Sequence, residues 1–217
     1  HQVNDAGIET MFCAGALYEC IQDARPRTGI RRVIVTGAAA AGEGDMDFET
    51  LLAAGEKGAD SDFHKVRSEI TSEDIALFQY TGGTTGIAKA AVARHRNLVA
   101  NALQFKAWMS TLEEERETFL LALPVYHIYG MLCGMLLGMA LRATLAILPN
   151  PRDIDDLLRT IQEHRVTYFP AAPTLYNAIN NHPDVTAGKV GLTSIKAFIS
   201  GSAPLMKGTK DRFESLT

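Results

Sequence analysis

Residues 119–125 read Phe119-Leu120-Leu121-Ala122-Leu123-Pro124-Val125, an unbroken apolar run that stops near a proline. A strand with one face in water alternates apolar and polar side chains, whereas a run with no polar member has both faces covered. Such strands belong to parallel sheets whose crossover helices lie on the two faces. Short runs that read as strands recur at 31–37, 74–80, 144–149, 166–170 and 195–200.

Helical patterns alternate with these runs. Residues 95–109 place Leu98, Ala102, Phe105 and Met109 on one face. Residues 153–164 place Ile154, Leu157, Leu158 and Ile161 at helical spacings. Asp153 is the expected N-cap there, with Asp155 and Asp156 in the first turn and His164 and Arg165 at the negative end. Pro173 and Thr174 open a helix through Asn180. The β-α-β rhythm predicts an α/β fold with a mainly parallel sheet flanked by helices. Residues 38–69 are small and polar with little periodicity, and read as a long surface connection with a short helix near 48–54. The expected division is 1–73, with the strand at 31–37 and this connection, and 74–217, the α/β core.

The composition excludes several function classes. With 47% hydrophobic and 21% charged residues among 217, the chain is globular and long enough to bury a core. A net charge of −4 with scattered Lys and Arg supplies no basic field, so no nucleic-acid partner is expected. Three cysteines, Cys13, Cys20 and Cys133, match neither a disulfide framework nor a zinc site, and read as reduced thiols of a cytosolic protein. The apolar stretch from Ile128 is broken by Arg142, too soon to span a bilayer, and predicts a buried helix followed by a strand. The lack of an initiator Met, and a final segment that looks like an interrupted helix, lead us to expect an excised piece.

The sharpest feature is Thr81-Gly82-Gly83-Thr84-Thr85-Gly86-Ile87-Ala88-Lys89, directly after a predicted strand. Three glycines allow a tight turn and close backbone approach to a ligand. Three threonine hydroxyls, exposed N–H groups and the Lys89 ammonium are what a polyphosphate needs. The spacing is not that of the common P-loop, since only two residues separate Gly86 from Lys89. The same residues also suit a Gly/Thr-rich hairpin turn with no ligand.

Tyr80 to Lys89, followed by His95-Arg96-Asn97-Leu98, resembles the signature of the adenylate-forming superfamily, which includes acyl-CoA synthetases, peptide-synthetase adenylation domains and luciferases. Three more blocks follow in that family's order. Pro124 to Gly130 looks like the block with a His or aromatic at the acyl gate. Asn150-Pro151-Arg152-Asp153-Ile154 resembles a segment of long-chain fatty acyl-CoA synthetases. Gly201-Ser202-Ala203-Pro204-Leu205 looks like the segment whose backbone lies against adenine. The resemblance covers about residues 74–206 and departs from the usual pattern at Gly82, Ala88, Ala90 and Arg94.

The resemblance implies part of the large N-terminal domain of an ATP-dependent fatty acid–CoA ligase. Thr81, Gly82, Gly83, Thr84, Thr85, Gly86 and Lys89 would hold the β- and γ-phosphates, and Lys89 and His127 would serve the reaction. His127 would border the acyl carboxylate, and Gly201, Ser202 and Ala203 would line adenine. ATP, Mg²⁺, CoA and a fatty acid are the implied cofactors and substrates. The magnesium-binding Glu, the ribose-binding Asp and the lid Lys have no counterpart here, so no metal ligand is named and the isolated chain is expected to be inactive. The resemblance also raises a cytoplasmic location, peripheral membrane contact and a homodimer. Two rivals stay open: an acyl-AMP or aryl-CoA ligase, and a non-catalytic nucleotide- or acyl-binding module.

Of the remaining residues, Met131, Met135 and Met139 at helical spacing read as core rather than acyl-tunnel lining. Trp108 reads as core, Tyr176 as core or pocket border, and Glu113 to Glu115 as a solvated charge run.

Overall fold

The computed structural model describes residues 1–37, 41–56, 60–81 and 86–217, with the side chains of 60–62 left aside. The described chain divides by its contacts into two units, His1–Arg94 and His95–Thr217. In the first, α1 (Gln2–Asp5), β1 (Thr10–Ala14), α2 (Tyr18–Ala24), β2 (Arg32–Thr36) and β3 (Met46–Asp47) build a parallel sheet in the order β1-β2-β3. Val33 and Val35 are wholly buried in it. Two helices follow, α3 (Phe48–Gly55) and α4 (Asp60–Glu69), and then the antiparallel pair β4 (Ile75–Thr81) and β5 (Lys89–Arg94).

In the second unit α5 (His95–Trp108) precedes β6 (Thr118–Leu121). A π-helical stretch, Gly130–Leu136, runs into α6 (Leu137–Ala140) and β7 (Thr144–Ile147). Then come α7 (Ile154–Glu163), β8 (Tyr168–Ala171), α8 (Pro173–Asn180), α9 (Pro183–Thr186), β9 (Ala197–Ser200) and α10 (Lys207–Glu214). The sheet is parallel throughout, in the order β7-β6-β8-β9. Phe119 and Leu120 of β6 have no exposed surface, as the unbroken apolar run requires. One face packs on Leu157, Leu158 and Ile161 of α7 and on Ile179 of α8; the other packs on Leu137 and Leu141. The expected mainly parallel α/β architecture is what the structure shows.

Details depart from expectation for physical reasons. β6 ends at Leu121, three residues before Pro124, and the chain then turns, with His127 N–H donating to the Pro124 carbonyl at 3.1 Å. Asp153 caps α7 as expected, accepting from Asp156 N–H at 3.0 Å. β5 was not foreseen: Lys89-Ala90-Ala91-Val92-Ala93-Arg94 has a weak strand propensity, and pairing with β4 makes it one. Nor was α4, a charged helix whose Phe63 and Val66 are exposed, so it carries no apolar stripe to read. Trp108 is 68% exposed rather than core, lying at the end of α5 edge-on to Phe105. The methionines are not the inward face either. Gly130, Cys133, Gly134, Leu137 and Gly138 are buried, while Met139 is exposed. A side-chain carbon on Gly134 would stand 2.7 Å from the Leu121 side chain, so the helix lies against β6 by virtue of its glycines. Among the described residues no helix is long and apolar enough to cross a membrane.

The polar connection hides a buried charge. The Asp45 side chain is 1% exposed and accepts from Tyr18 Oη at 2.7 Å, Gln22 Nε2 at 2.8 Å, Arg25 Nη1 at 2.9 Å and Val33 N–H at 2.9 Å. Burial pushes its carboxyl up, but those four donors outweigh burial and hold it below the ordinary value of 3.8. We expect Asp45→Ala to cost about 2–4 kcal/mol, since it strands a guanidinium and a strand N–H. Because the native value is lowered, the contribution of the Asp45 charge is complete above the ordinary value of 3.8 and is lost as pH falls through the lower native value. Chemical denaturation of the complete protein at pH 7 and at successively lower pH checks both: the deficit of the variant should be full at pH 7 and begin to shrink only below pH 3.8.

Candidate active site

Two groups of residues are the candidates read from the sequence, one in each unit. In the first unit, β4 and β5 form a hairpin whose last matched pair is Thr81 and Lys89. These two residues form the neck of the Gly/Thr loop. Both are exposed, and Lys89 has no ion-pair partner among the described residues. Gly86 leaves the loop at φ +90°, a conformation open to glycine at little cost. Gly82, Gly83, Thr84 and Thr85 lie outside the described residues, so the phosphate-binding role read for them rests on sequence. The strand that delivers the loop is tied at its end. Tyr80 Oη donates to Asp5 Oδ2 at 2.6 Å and lies 3.3 Å from the Gln2 carbonyl. That bond to a carboxylate pushes the phenol up to about 12.

In the second unit His127 and the Gly201 turn both leave the carboxyl edge of the parallel sheet, after β6 and β9. In open α/β sheets this is the edge where ligands bind. His127 is exposed, not a core histidine. Tyr129 N–H donates to His127 Nδ1 at 3.2 Å. An Nδ1 that accepts leaves the ring proton on Nε2, which then points a donor outward. Gly201 N–H continues the β8–β9 ladder to the Ala171 carbonyl at 3.3 Å, and Ser202 follows at φ +71°. A left-handed serine turns the chain sharply, and Ser202 and Ala203 are exposed there. Just before the turn, Ser200 Oγ is buried with no hydrogen-bond partner among the described residues.

Tyr176 belongs to the core. It is wholly buried, its hydroxyl donates to the Phe169 carbonyl at 2.7 Å, and its ring meets Phe213 of α10 at 4.8 Å. Glu113, Glu114 and Glu115 pair with Arg116, Lys106 and Arg142 at the surface. Burial pushes the Cys133 thiol up to about 11, which keeps it protonated and unreactive at neutral pH. Two residues of this edge were missed in the sequence, Tyr129 and Ser200. Nothing in local spacing marks them, because their partners lie on other strands.

A family model described as AMP-binding enzyme matches residues 1–217. A long-chain-fatty-acid–CoA ligase of Bacillus subtilis (strain 168) is 39% identical over 144 residues, covering 66% of this chain and 25% of that protein. The crystal structure of the anthranilate CoA ligase AuaEII in complex with anthranoyl-AMP superposes with a TM-score of 0.83 at 21% identity, covering 100% of this chain and 40% of that one. ATP-bound MatB from Rhodopseudomonas palustris gives a TM-score of 0.72 at 26% identity, covering 96% and 38%. The chain thus spans between a quarter and two-fifths of these relatives.

Replacing Tyr80 by Phe should remove from the ultraviolet phenolate titration a group that ionises near pH 12. Because the native value is raised, the tie between Tyr80 and Asp5 persists to about pH 10 and is lost as pH climbs toward 12.

Proposed function

The chain belongs to the AMP-binding enzyme family, and on that premise we propose that the protein carrying it activates a long-chain fatty acid with ATP and passes the acyl group to CoA. One observation carries the proposal. A loop of glycines and threonines springs from a hairpin neck formed by Thr81 and the exposed cation Lys89. Its glycines and threonines supply backbone N–H groups and hydroxyls, and Lys89 adds positive charge at the neck. That is suited to the β- and γ-phosphates of ATP, where charge builds as the α-phosphate is attacked by a carboxylate. The products of that step are an acyl-adenylate and pyrophosphate. A thiol then attacks the acyl carbon and AMP leaves.

The outward Nε2–H of His127 is a donor of the kind an acyl carboxylate or its adenylate would meet. The Gly201 turn, with its exposed backbone at the same sheet edge, suits the flat face of adenine. The fatty substrate is supported by the name of the Bacillus subtilis relative and by the Asn150 to Ile154 segment. The donors described at the hairpin neck, a hydroxyl and an ammonium, do not form a magnesium ligand set, and no step is assigned to a metal held by them.

Pyrophosphate release by the complete protein, with ATP and palmitate, is the test. Replacing Thr84 and Lys89 together by Ala should lower the rate by about a hundredfold, as loss of preorganised donors does. An unchanged rate would remove the loop from the reaction. A series of carboxylates from benzoate to palmitate separates the fatty from the aryl reading: preference for benzoate defeats the substrate named here.

A further inference from the structure

Tyr129 lies between the two parts of the candidate site in the second unit, and neither its burial nor its packing accounts for its contacts. Pro170 in β8 has no N–H to give, and β6 pairs with β8 only at Phe119 and Tyr168. Beyond that pair the carboxyl ends of β8 and β9 are met by a tyrosine side chain. Tyr129 Oη lies 2.7 Å from the Ile199 carbonyl and 3.2 Å from the Ala171 carbonyl. A phenol has one proton, and the shorter distance assigns it to Ile199. The Tyr129 ring then lies directly under Gly201. A side-chain carbon there would stand 2.8 Å from Cζ, 2.9 Å from Cε1 and 3.1 Å from Cε2 of the ring. No real side chain tolerates such contacts, so the ring dictates glycine at position 201.

We infer that Tyr129 is a positioning residue. Its hydroxyl holds the end of β9 and its ring seats the Gly201-Ser202-Ala203 turn in the place from which the adenylate is bound. This rests on the function proposed above. The same residue orients His127 through its backbone N–H, so one position sets both the imidazole tautomer and the turn. A tyrosine kept only to fill space would be served as well by phenylalanine, which keeps the ring and loses both carbonyl contacts. Phenylalanine is therefore the discriminating substitution.

In the complete protein, Tyr129→Phe should raise KM for ATP by about tenfold and change kcat less, since the ground-state seat of the nucleotide is what loosens. Backbone amide exchange at residues 200–203 should quicken by a similar factor, about tenfold. Gly201→Ala should raise KM for ATP through the same contact, and adding Tyr129→Phe to it should make matters little worse, because both act on one seat. If Gly201→Ala does not fold, the phenylalanine variant decides alone. Unchanged exchange at 200–203 in Tyr129→Phe overturns the positioning role. Faster exchange with an unchanged KM for ATP overturns its link to the nucleotide. A parent protein that releases no pyrophosphate with palmitate defeats the functional reading instead, while exchange still reports on the turn.

Discussion

Parallel pairing of Thr118–Leu121 with β7 along its length, and with β8 at Phe119, is the constraint on which the second unit depends. A strand flanked by neighbours on both sides and covered on both faces can carry no polar side chain inside, which is why Phe119, Leu120 and Leu121 follow one another. Parallel pairing also brings the carboxyl ends of neighbouring strands to one edge. The loops after β6 and β9, with His127 and Gly201, therefore emerge together although more than seventy residues separate them. Close packing against this strand explains the glycines of the following helix. At Gly138 an added carbon would collide with the Leu145 side chain and press on Phe119 at 3.3 Å.

At the carboxyl edge, regular pairing gives way to side-chain hydroxyls. Tyr129 donates to the Ile199 carbonyl at 2.7 Å and Tyr176 to the Phe169 carbonyl at 2.7 Å, with the Tyr176 oxygen also 2.9 Å from the Ile199 carbonyl. Burial pushes both phenols well above their ordinary value, so they remain donors throughout the physiological range. Behind them Phe169, Tyr176, Phe198 and Phe213 meet edge-on or tilted, with ring centres 4.8 to 6.3 Å apart, which anchors α10 and stiffens the strand ends. The first unit uses another device, a carboxylate at Asp45 that collects donors from α2, the residue after it and β2.

What could be read in advance follows the range of the forces involved. The strand at 119–121, the Asp153 cap, the helix opened by Pro173 and the loop after Tyr80 all depend on neighbours a few residues away. β5 was illegible because alanines become a strand only when β4 lies beside them. Trp108 was misplaced because apolar character says that a residue prefers burial, not that the fold has room for it. The methionine series was misjudged for a related reason: the inward face was chosen by how closely a backbone could approach β6, and glycine allows closer approach than methionine.

The sequence by itself determined the alternation of strand and helix, the parallel sheet, and the residue types of the Gly/Thr loop, His127 and the Gly201 segment. These are matters of periodicity, turn chemistry and composition, written in contiguous residues. Only the tertiary structure decided that Thr81 and Lys89 face each other across a hairpin neck, that Asp45 is a buried hub, and that Tyr129 lies beneath Gly201. The last two join residues twelve or more positions apart along the chain, and the first depends on β5 pairing with β4. Such pairs meet only after the strands have paired, and no local preference encodes which of many possible partners they find.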